Sequence, residues 1–186
     1  MSLELIVGPM FAGKSTEAIR RVRAFQSSGT PHMVITSISD TRYDASGGSI
    51  STHSGSRIPA TGVVNLSSVL SDEYMKASHS HIIIEEAQFF PDLYDVVVEM
   101  VEKRGKHVIV FGLDGDSERR PFGKILDLMP LADTYTKLHA ECRVCGDGTP
   151  ALFTQRITEE RGQVCVGGEE SYRAVCRKHY LESIRV

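Results

Sequence analysis

The sequence alternates short runs of consecutive apolar residues with longer segments in which apolar residues recur at helical spacing. The short runs predict strands buried on both faces of a sheet, and the periodic segments predict amphipathic helices. We predict strands at residues 3–7, 33–35 and 82–84 and within residues 106–116 and 134–140. We predict helices over residues 15–26, 66–78 and 91–104, with a short helix within residues 119–132. Because strands and helices alternate, we expect an α/β fold with a parallel sheet and right-handed crossovers.

Two stretches depart from this alternation. Residues 43–60 are rich in Gly, Ser and Thr and contain few large apolar residues, which predicts a long loop of functional importance. From residue 141 onward, short strands, glycines and cysteines replace the α/β pattern. We therefore expect a larger domain over residues 1–140 and a small second domain over residues 141–186.

Composition narrows the class of protein. The chain has 186 residues, of which 41% are hydrophobic and 24% charged, with a net charge of −3. These values are ordinary for a globular protein, and the negative balance argues against broad, charge-driven binding to nucleic acid. We expect no membrane segment and no signal peptide, because the first apolar run is already a strand. Four cysteines in such a chain favour reduced thiols and the cytoplasm.

The first candidate site is the stretch GPMFAGKST at residues 8–16. Gly8, Gly13, Lys14 and Ser15 fit G-x-x-x-x-G-K-[ST], between a predicted strand and a predicted helix. In such a loop the backbone N–H groups point at phosphate oxygens, the lysine reaches the β- and γ-phosphates, and the hydroxyl helps to hold Mg²⁺. The alternative is a chance match in a glycine-containing turn. The flanking elements favour a bound nucleotide.

Two adjacent carboxylates, Glu85 and Glu86, follow the predicted strand at residues 82–84. Phosphoryl-transfer enzymes with this kind of loop hold Mg²⁺ with a carboxylate in that place. Successive side chains of a strand point to opposite sides. We therefore assign Glu85 to Mg²⁺ and Glu86 to the substrate, as general base for an attacking hydroxyl. The alternative is a solvated pair at the end of a strand.

The second domain carries two pairs with the spacing of metal ligands. Cys142 and Cys145 form one C-x-x-C pair, and Cys176 and His179 form a C-x-x-H pair. Three thiolates and one imidazole are a common tetrahedral zinc set, and four protein ligands make the site structural rather than catalytic. The alternative is two unrelated surface pairs. Cys165 has no partner at ligand spacing, so we expect a small buried apolar side chain.

Six segments in order along the chain carry a family resemblance: GPMFAGKST, DTRY, EEAQFFPD, LDGDSERRPFG, KLHAECRVC and GGEESYRAVCRKHY. Together they resemble type II thymidine kinases, small cytosolic enzymes with a zinc-bearing lasso domain. The resemblance implies transfer of the γ-phosphate of ATP to the 5′-hydroxyl of thymidine, and of deoxyuridine as well, giving dTMP in pyrimidine salvage. It further implies Mg²⁺, a homotetramer, feedback inhibition by dTTP, and a lasso over residues 141–186 that closes over the nucleoside.

The resemblance also implies roles for individual residues. Glu86 and Lys14 would be catalytic, together with Arg42 as the group that stabilises charge on the transferred phosphoryl. The residues implied to bind ATP and Mg²⁺ are Gly8, Pro9, Met10, Phe11, Ala12, Gly13, Lys14, Ser15, Thr16, Asp40, Thr41, Arg42, Glu85, Glu86, Ala87 and Gln88. The residues implied to bind the nucleoside are Met10, Phe89, Leu113, Ser117, Phe122, Gln163, Val164, Cys165, Val166, Gly167 and Tyr172. For Met10 and Phe89, plain core packing is the alternative. Glu85 stands where the family usually has Asp, Ser117 where it often has an aromatic residue, and His179 where vertebrate enzymes have Cys.

Two other classes of function compete with this assignment. EEAQ resembles a helicase motif, so a P-loop ATPase stimulated by nucleic acid is one alternative. The short chain and its acidic balance oppose it. A zinc-ribbon interaction module with a structural nucleotide is the other, and the intact set of Lys14, Ser15 and Glu86 opposes that one.

Overall fold

The computed structural model describes residues 1–38, 48–52, 55–71, 75, 78–159, 162–165 and 167–184. The strands, in chain order, are β1 Ser2–Val7, β2 His32–Ser37, β3 Ser49–Ser51, β4 Arg57–Pro59, β5 Thr61–Val63, β6 His81–Glu85, β7 His107–Gly112, β8 Thr134–Lys137, β9 Ala140–Glu141, β10 Pro150–Ala151, β11 Phe153–Arg156 and β12 Tyr172–Val175. The helices are α1 Lys14–Ser28, α2 Leu93–Val98, which continues into a π-helical turn over Glu99–Lys103, and α3 Arg177–Ser183. Short 3₁₀ helices lie at Leu66–Leu70, Ala87–Phe89 and Ile125–Leu131.

Within these residues the central sheet has six strands in the order β5-β2-β6-β7-β1-β8, and every pair is parallel. The predicted α/β fold with a parallel sheet is thereby confirmed. The carboxyl ends of β1, β6 and β7 lie at one edge of the sheet, where ligands of open α/β sheets bind. The candidate phosphate loop and the glutamate pair follow two of these ends.

The apolar runs form strands because both of their faces are buried. In β6, Ile82 and Ile84 belong to the larger core, whereas Ile83 between them belongs to the core on the opposite face. The residues of α1 that pack on the smaller core are Ala18, Ile19 and Val22. The larger core is completed by α2 and by the 3₁₀ helix Ile125–Leu131. Burial on both faces explains why these strands show no alternation of polar and apolar residues.

Two predictions of local structure are wrong in part, and one strand was missed. The predicted loop over residues 43–60 contains the antiparallel hairpin β3–β4, in which Ile50 and Ile58 pair and pack on the α1 side of the sheet. Strand β5 was not predicted. Of the predicted helix over residues 66–78, Leu66–Leu70 form a 3₁₀ helix and Ser71 is extended, whereas residues 72–74, 76 and 77 lie outside the described residues.

The C-terminal region has its own small sheets and its own apolar cluster. β9 pairs with β10, and β11 pairs with β12, both antiparallel. Their cluster includes Val175, Tyr180 and two of the cysteines. The division into domains at residues 140 and 141 stays a prediction. No helix in the described part of the chain is long and apolar enough to cross a lipid bilayer.

Candidate functional site

The loop between β1 and α1 is held tightly against its surroundings. At Gly8 a Cβ atom would lie 2.5 Å from the carbonyl oxygen of Leu138, so only glycine fits there. Gly13 precedes α1 with a left-handed backbone (φ 80°), and Phe11 also has a positive φ of 65°. The first of these conformations suits glycine. The loop thus leads directly into the N-terminus of a helix, which attracts phosphate oxygens.

Lys14 lies inside this loop and is only 9% exposed. Its Nζ donates hydrogen bonds to the carbonyl oxygens of Gly8 at 3.2 Å and Pro9 at 2.8 Å. The positive charge therefore sits within the turn of backbone that the sequence predicts to hold phosphates.

Ser15 and Glu85, the residues predicted to hold Mg²⁺, lie in contact. The Ser15 hydroxyl donates to Oε1 of Glu85 at 2.6 Å, and Glu85 is 5% exposed at the end of β6. A hydroxyl and a carboxylate beside a phosphate loop are oxygen ligands of the kind that Mg²⁺ prefers. The glutamate side chain is therefore long enough to reach the serine directly.

Glu86 points to a different place from Glu85, as predicted, but for a different reason. β6 ends at Glu85, and Glu86 has a left-handed backbone (φ 52°) that precedes the 3₁₀ helix Ala87–Phe89. This turn places Glu86 in the wall of the main cleft, which has a volume of about 580 Å³. The cleft is lined by Met10, Phe11, Ala12, Gly13, Lys14, Ser15, Thr16, Ser51, Thr52, Glu86, Leu113, Ala140, Glu141, Arg143, Glu169 and Ala174.

An apolar pocket adjoins the cleft, and Met10 and Leu113 line both. Most of the predicted thymine-pocket side chains form one cluster here, consisting of Met10, Leu113, Phe122 and Tyr172 with Phe11, Phe89 and Cys165 packed against them. The rings of Phe89 and Phe122 meet edge to face, with centroids 5.5 Å apart. The backbone N–H of Met10 donates to the hydroxyl of Thr154 at 2.9 Å, which fixes the loop against β11.

The predicted lasso residues Gln163, Val164 and Cys165 form one side of the same pocket. The Tyr172 hydroxyl donates to the carbonyl oxygen of Cys165 at 2.8 Å and accepts a hydrogen bond from Arg156 at 3.1 Å. The bond to Cys165 holds residues 163–165 beside the pocket. Gly167 is buried but does not line the pocket. The predicted residues Asp40, Thr41, Arg42 and Val166 lie outside the described residues.

Asp116 is a pocket residue that the sequence analysis missed. It is 5% exposed, and its Oδ1 accepts the N–H groups of Glu118 and Arg120, each at 2.9 Å. Its Oδ2 accepts from Nε2 of Gln163 at 3.0 Å, so it ties the loop after β7 to the lasso. An aspartate that binds the N–H two residues on is an Asx turn, and DGDS offered that signal.

The same loop is anchored to α3. The Tyr180 hydroxyl donates to the carbonyl oxygen of Ser117 at 2.8 Å. The guanidinium carbon of Arg119 lies 4.5 Å from the centroid of the Tyr180 ring, within cation–π range. Ser117, predicted to bind the nucleoside, lines the pocket and is thus held by a helix of the C-terminal region.

The four predicted zinc ligands converge. The Sγ atoms of Cys145 and Cys176 lie 3.4 Å from Nδ1 of His179, and that of Cys142 lies 3.5 Å from it. The two Sγ atoms of Cys145 and Cys176 are 3.9 Å apart. Zinc bond lengths of about 2.3 Å to sulfur and about 2.0 Å to nitrogen place tetrahedral ligands about 3.5 to 3.8 Å apart. The group therefore has the dimensions of a zinc site.

The surroundings favour the thiolate at Cys142 but not at Cys145, where a hydrogen bond with Thr149 lowers the pKa and burial and the thiols of Cys142 and Cys176 raise it, to about 11. The backbone N–H of Cys176 donates to Sγ of Cys142 at 3.2 Å. Burial raises the pKa of the Cys142 thiol, but this N–H and those of neighbouring residues outweigh burial and lower the pKa. Among the described residues Cys165 does not belong to the group and contacts the apolar pocket instead.

Comparison with known proteins points to one family. The thymidine kinase family model matches residues 1–180. The thymidine kinase of Oryza sativa is 42% identical over 184 residues, which cover 97% of this chain and 66% of the rice protein. The cytosolic thymidine kinase of Gallus gallus is 40% identical over 97% of this chain and 77% of its own length. The thymidine kinase of Vaccinia virus (strain Western Reserve) is 40% identical over 97% of each chain. This chain thus spans just under two thirds of the rice protein but almost all of the viral one.

Proposed function

Because this chain belongs to the thymidine kinase family, we propose that it transfers the γ-phosphate of ATP to the 5′-hydroxyl of thymidine, giving dTMP and ADP for pyrimidine salvage. Family membership makes the protein a nucleoside kinase, with thymidine and a nucleotide as substrates. The choice of ATP as donor and the acceptance of deoxyuridine are part of the proposal. Deoxyuridine lacks only the thymine methyl group, and one such group discriminates by about 1–3 kcal/mol in an apolar pocket.

The observation that carries this proposal is the position of Glu86. Its side chain lies in the wall of the cleft that Lys14 and Ser15 also line. That cleft adjoins the apolar pocket, and Met10 and Leu113 line both. A phosphate donor and a nucleoside bound in these two spaces would meet beside the Glu86 carboxylate.

In the proposed mechanism the chain mainly positions charges, because phosphoryl transfer needs little covalent chemistry from the protein. The backbone N–H groups of residues 11–16 and Lys14 hold the phosphates, since Pro9 has no N–H and that of Met10 is bound to Thr154. The Ser15 hydroxyl and the Glu85 carboxylate would hold Mg²⁺, which would neutralise charge on the phosphates. Glu86 accepts the proton of the 5′-hydroxyl as the new P–O bond forms. The family resemblance supports two further roles in the proposal: Arg42 as the group that stabilises charge on the transferred phosphoryl, and Asp40 and Thr41 as residues that bind the phosphates and the sugar.

Recognition of the base follows from the pocket. Thymine presents two carbonyl oxygens, one N–H and a methyl group. Phe89, Phe122 and Met10 suit the ring and the methyl, whereas backbone groups of Gln163, Val164 and Cys165 suit the polar edge. The C-terminal region thus acts as the lasso domain, residues 141–186, which closes over the nucleoside bound to the domain of residues 1–140.

Further parts of the proposal concern the rest of the protein. A zinc ion held by the Cys142, Cys145, Cys176 and His179 set shapes the lasso and takes no part in the reaction, because four protein ligands leave no open position. We also propose that the protein is a homotetramer and that it is cytoplasmic. We further propose inhibition by dTTP, whose thymine base and phosphates would occupy the same two spaces as the substrates. The Gallus gallus and Cricetulus griseus relatives are named cytosolic.

The test uses ATP labelled in the γ-phosphate, with formation of labelled dTMP as the readout. We expect Glu86→Gln to lower kcat by about 10² to 10⁴-fold, as removal of a general base does, while it still binds ATP. The matched control is Glu102→Gln, the same substitution at an exposed glutamate of the π-helical turn after α2. A Glu86→Gln enzyme with kcat within a few-fold of the control would show that Glu86 is not the base.

A further inference from the structure

Gln88 was predicted to contact the nucleotide, but its side chain is hydrogen-bonded within the protein, to Leu113 and Glu86. It is 3% exposed and does not belong to the lining of the main cleft. Its Oε1 accepts the backbone N–H of Leu113 at 3.0 Å, and its Nε2 donates to Oε2 of Glu86. Both ends of the amide are therefore engaged. Because the oxygen must face the Leu113 N–H, the NH₂ group must face Glu86.

The space around Gln88 is built to hold this one orientation. At Gly112, the last residue of β7, a Cβ atom would lie 2.5 Å from Oε1 of Gln88. At Gly123, with φ +60°, a Cβ atom would lie 2.1 Å from the Gln88 carbonyl oxygen. A side chain at either position would displace Gln88. Glycine at both leaves a slot that the glutamine fills.

Glu86 needs such a restraint. Its backbone is left-handed, a conformation that L side chains rarely adopt, and it joins the end of β6 to a short 3₁₀ helix. The backbone alone does not fix a glutamate carboxylate, which is three single bonds away and loses substantial freedom when it is ordered. The bond from Gln88 engages Oε2 and so sets the direction of the other oxygen, Oε1.

We propose that Gln88 is a positioning residue, which holds the Glu86 carboxylate aimed at the acceptor hydroxyl and itself touches neither substrate. The proposal rests on the proposed function, because it requires Glu86 to be the general base. A misplacement of about 1 Å at the reacting groups costs on the order of 10²-fold in rate. Loss of this restraint should therefore appear in kcat and not in substrate binding.

The test is Gln88→Glu, which keeps the size of the side chain and an acceptor for Leu113 but replaces the donor with a second carboxyl group. At neutral pH two adjacent carboxylates repel, so we expect kcat to fall about 10 to 100-fold, with KM for thymidine and for ATP changed less than about 3-fold. As the pH is lowered, the introduced carboxyl gains a proton and can donate to Glu86 again. The ratio of wild-type to variant kcat should therefore shrink with decreasing pH.

The matched control is Gln155→Glu, the same substitution at a buried glutamine of β11 whose Oε1 accepts from Arg173 at 2.7 Å. It should leave kcat and its pH profile close to wild type. Gln88→Met, which keeps the length of the side chain without a donor or a charge, should lower kcat at every pH with no recovery. A further measurement uses the wild-type protein and so does not depend on whether a variant folds. The side-chain NH₂ protons of Gln88 should exchange with solvent about 100-fold more slowly than those of exposed Gln26.

The outcomes separate this proposal from the function on which it rests. If Glu86→Gln abolishes turnover but Gln88→Glu and Gln88→Met stay within about 3-fold of wild type, Gln88 does not position the base. If both Gln88 variants raise KM and show no pH-dependent recovery, its role is only structural, and the proposal fails too. If Glu86→Gln itself retains turnover, Glu86 is not the general base, and the proposal for Gln88 fails with that assignment. Fast NH₂ exchange at Gln88 would contradict the bond directly.

Discussion

Zinc binding by the C-terminal region can be tested with one substitution at two of the four cysteines. Cys176→Ser removes one of the four converging ligands. Cys165→Ser makes the same chemical change at the cysteine that packs against the apolar pocket instead. We expect wild type and Cys165→Ser to carry one zinc per chain, and Cys176→Ser to lose it during dialysis against a chelator.

The expected size of the effect follows from four ligands in tetrahedral positions. Structural zinc binds peptides of this kind with an apparent free energy of about 10–16 kcal/mol, which equals the whole stability of a typical domain. Even a quarter of the lower figure, about 2.5 kcal/mol, weakens zinc binding about 60-fold. Among the described residues, the large buried side chains of the local apolar cluster are Val175 and Tyr180, and the partly buried Phe11 and Phe153 pack against the cluster. It cannot replace the metal.

Loss of zinc should also disturb the nucleoside pocket and weaken thymidine binding. Tyr172 lies in β12, directly before Cys176, and Tyr180 follows His179 in α3. One tyrosine holds the carbonyl of Cys165 and the other that of Ser117. We therefore expect Cys176→Ser to raise KM for thymidine at least about 10-fold, more than KM for ATP.

The assays are elemental analysis of the dialysed proteins and absorption spectroscopy of the cobalt-substituted forms. Tetrahedral cobalt bound by thiolates has characteristic visible bands, which Cys176→Ser should weaken and Cys165→Ser should not. If Cys176→Ser retains stoichiometric zinc, or if both variants lose it equally, the assignment of these four ligands is wrong.

Three further perturbations test other parts of the structure. Tyr180→Phe removes the donor to the Ser117 carbonyl, a bond worth about 1 kcal/mol, so KM for thymidine should rise about 5-fold with zinc retained; unchanged KM would count against the anchor. Ser15→Ala removes the hydroxyl bound to Glu85, so the Mg²⁺ concentration for half-maximal activity should rise about 10-fold in a magnesium titration; no shift would contradict its role. Burial, the stacked histidine of β7 and other nearby positive groups lower the pKa of His81 below 6.5. The unfolded chain then binds the proton first, so the free energy of unfolding should fall as pH decreases below 6.5, and His81→Gln should reduce that slope in urea titrations at about pH 7.5 and about pH 5.5.

The sequence was most informative where local chemistry alone determines the structure. The run Ile82-Ile83-Ile84 predicted a strand that is buried on both faces. The C-x-x-C and C-x-x-H pairs, separated by 31 residues or more, predicted a metal site that forms only if the fold brings the two pairs together. Gly8, Gly13 and Lys14 formed a pattern whose backbone requirements are strict. In each case the spacing of a few residues contains the whole signal.

The sequence was less informative where distant contacts decide. Ile50 and Ile58 form a hairpin because they pair and pack on α1, although the surrounding Ser and Gly residues favour a loop. The left-handed backbone at Glu86 could not be predicted, because the residue at this position is not glycine. The burial of Gln88 depends on the N–H of Leu113 and on the space beside Gly112, which only the assembled sheet brings together.

The most direct test of the proposed function offers four nucleosides with ATP and Mg²⁺: thymidine, deoxyuridine, deoxycytidine and deoxyguanosine. We expect monophosphates from thymidine and deoxyuridine only, because a pocket that hydrogen-bonds the polar edge of thymine leaves groups unpaired with the other bases. Phosphorylation of all four would contradict base recognition by residues 163–165. Phosphorylation of none, with ATP hydrolysis stimulated by DNA or RNA, would contradict the function itself.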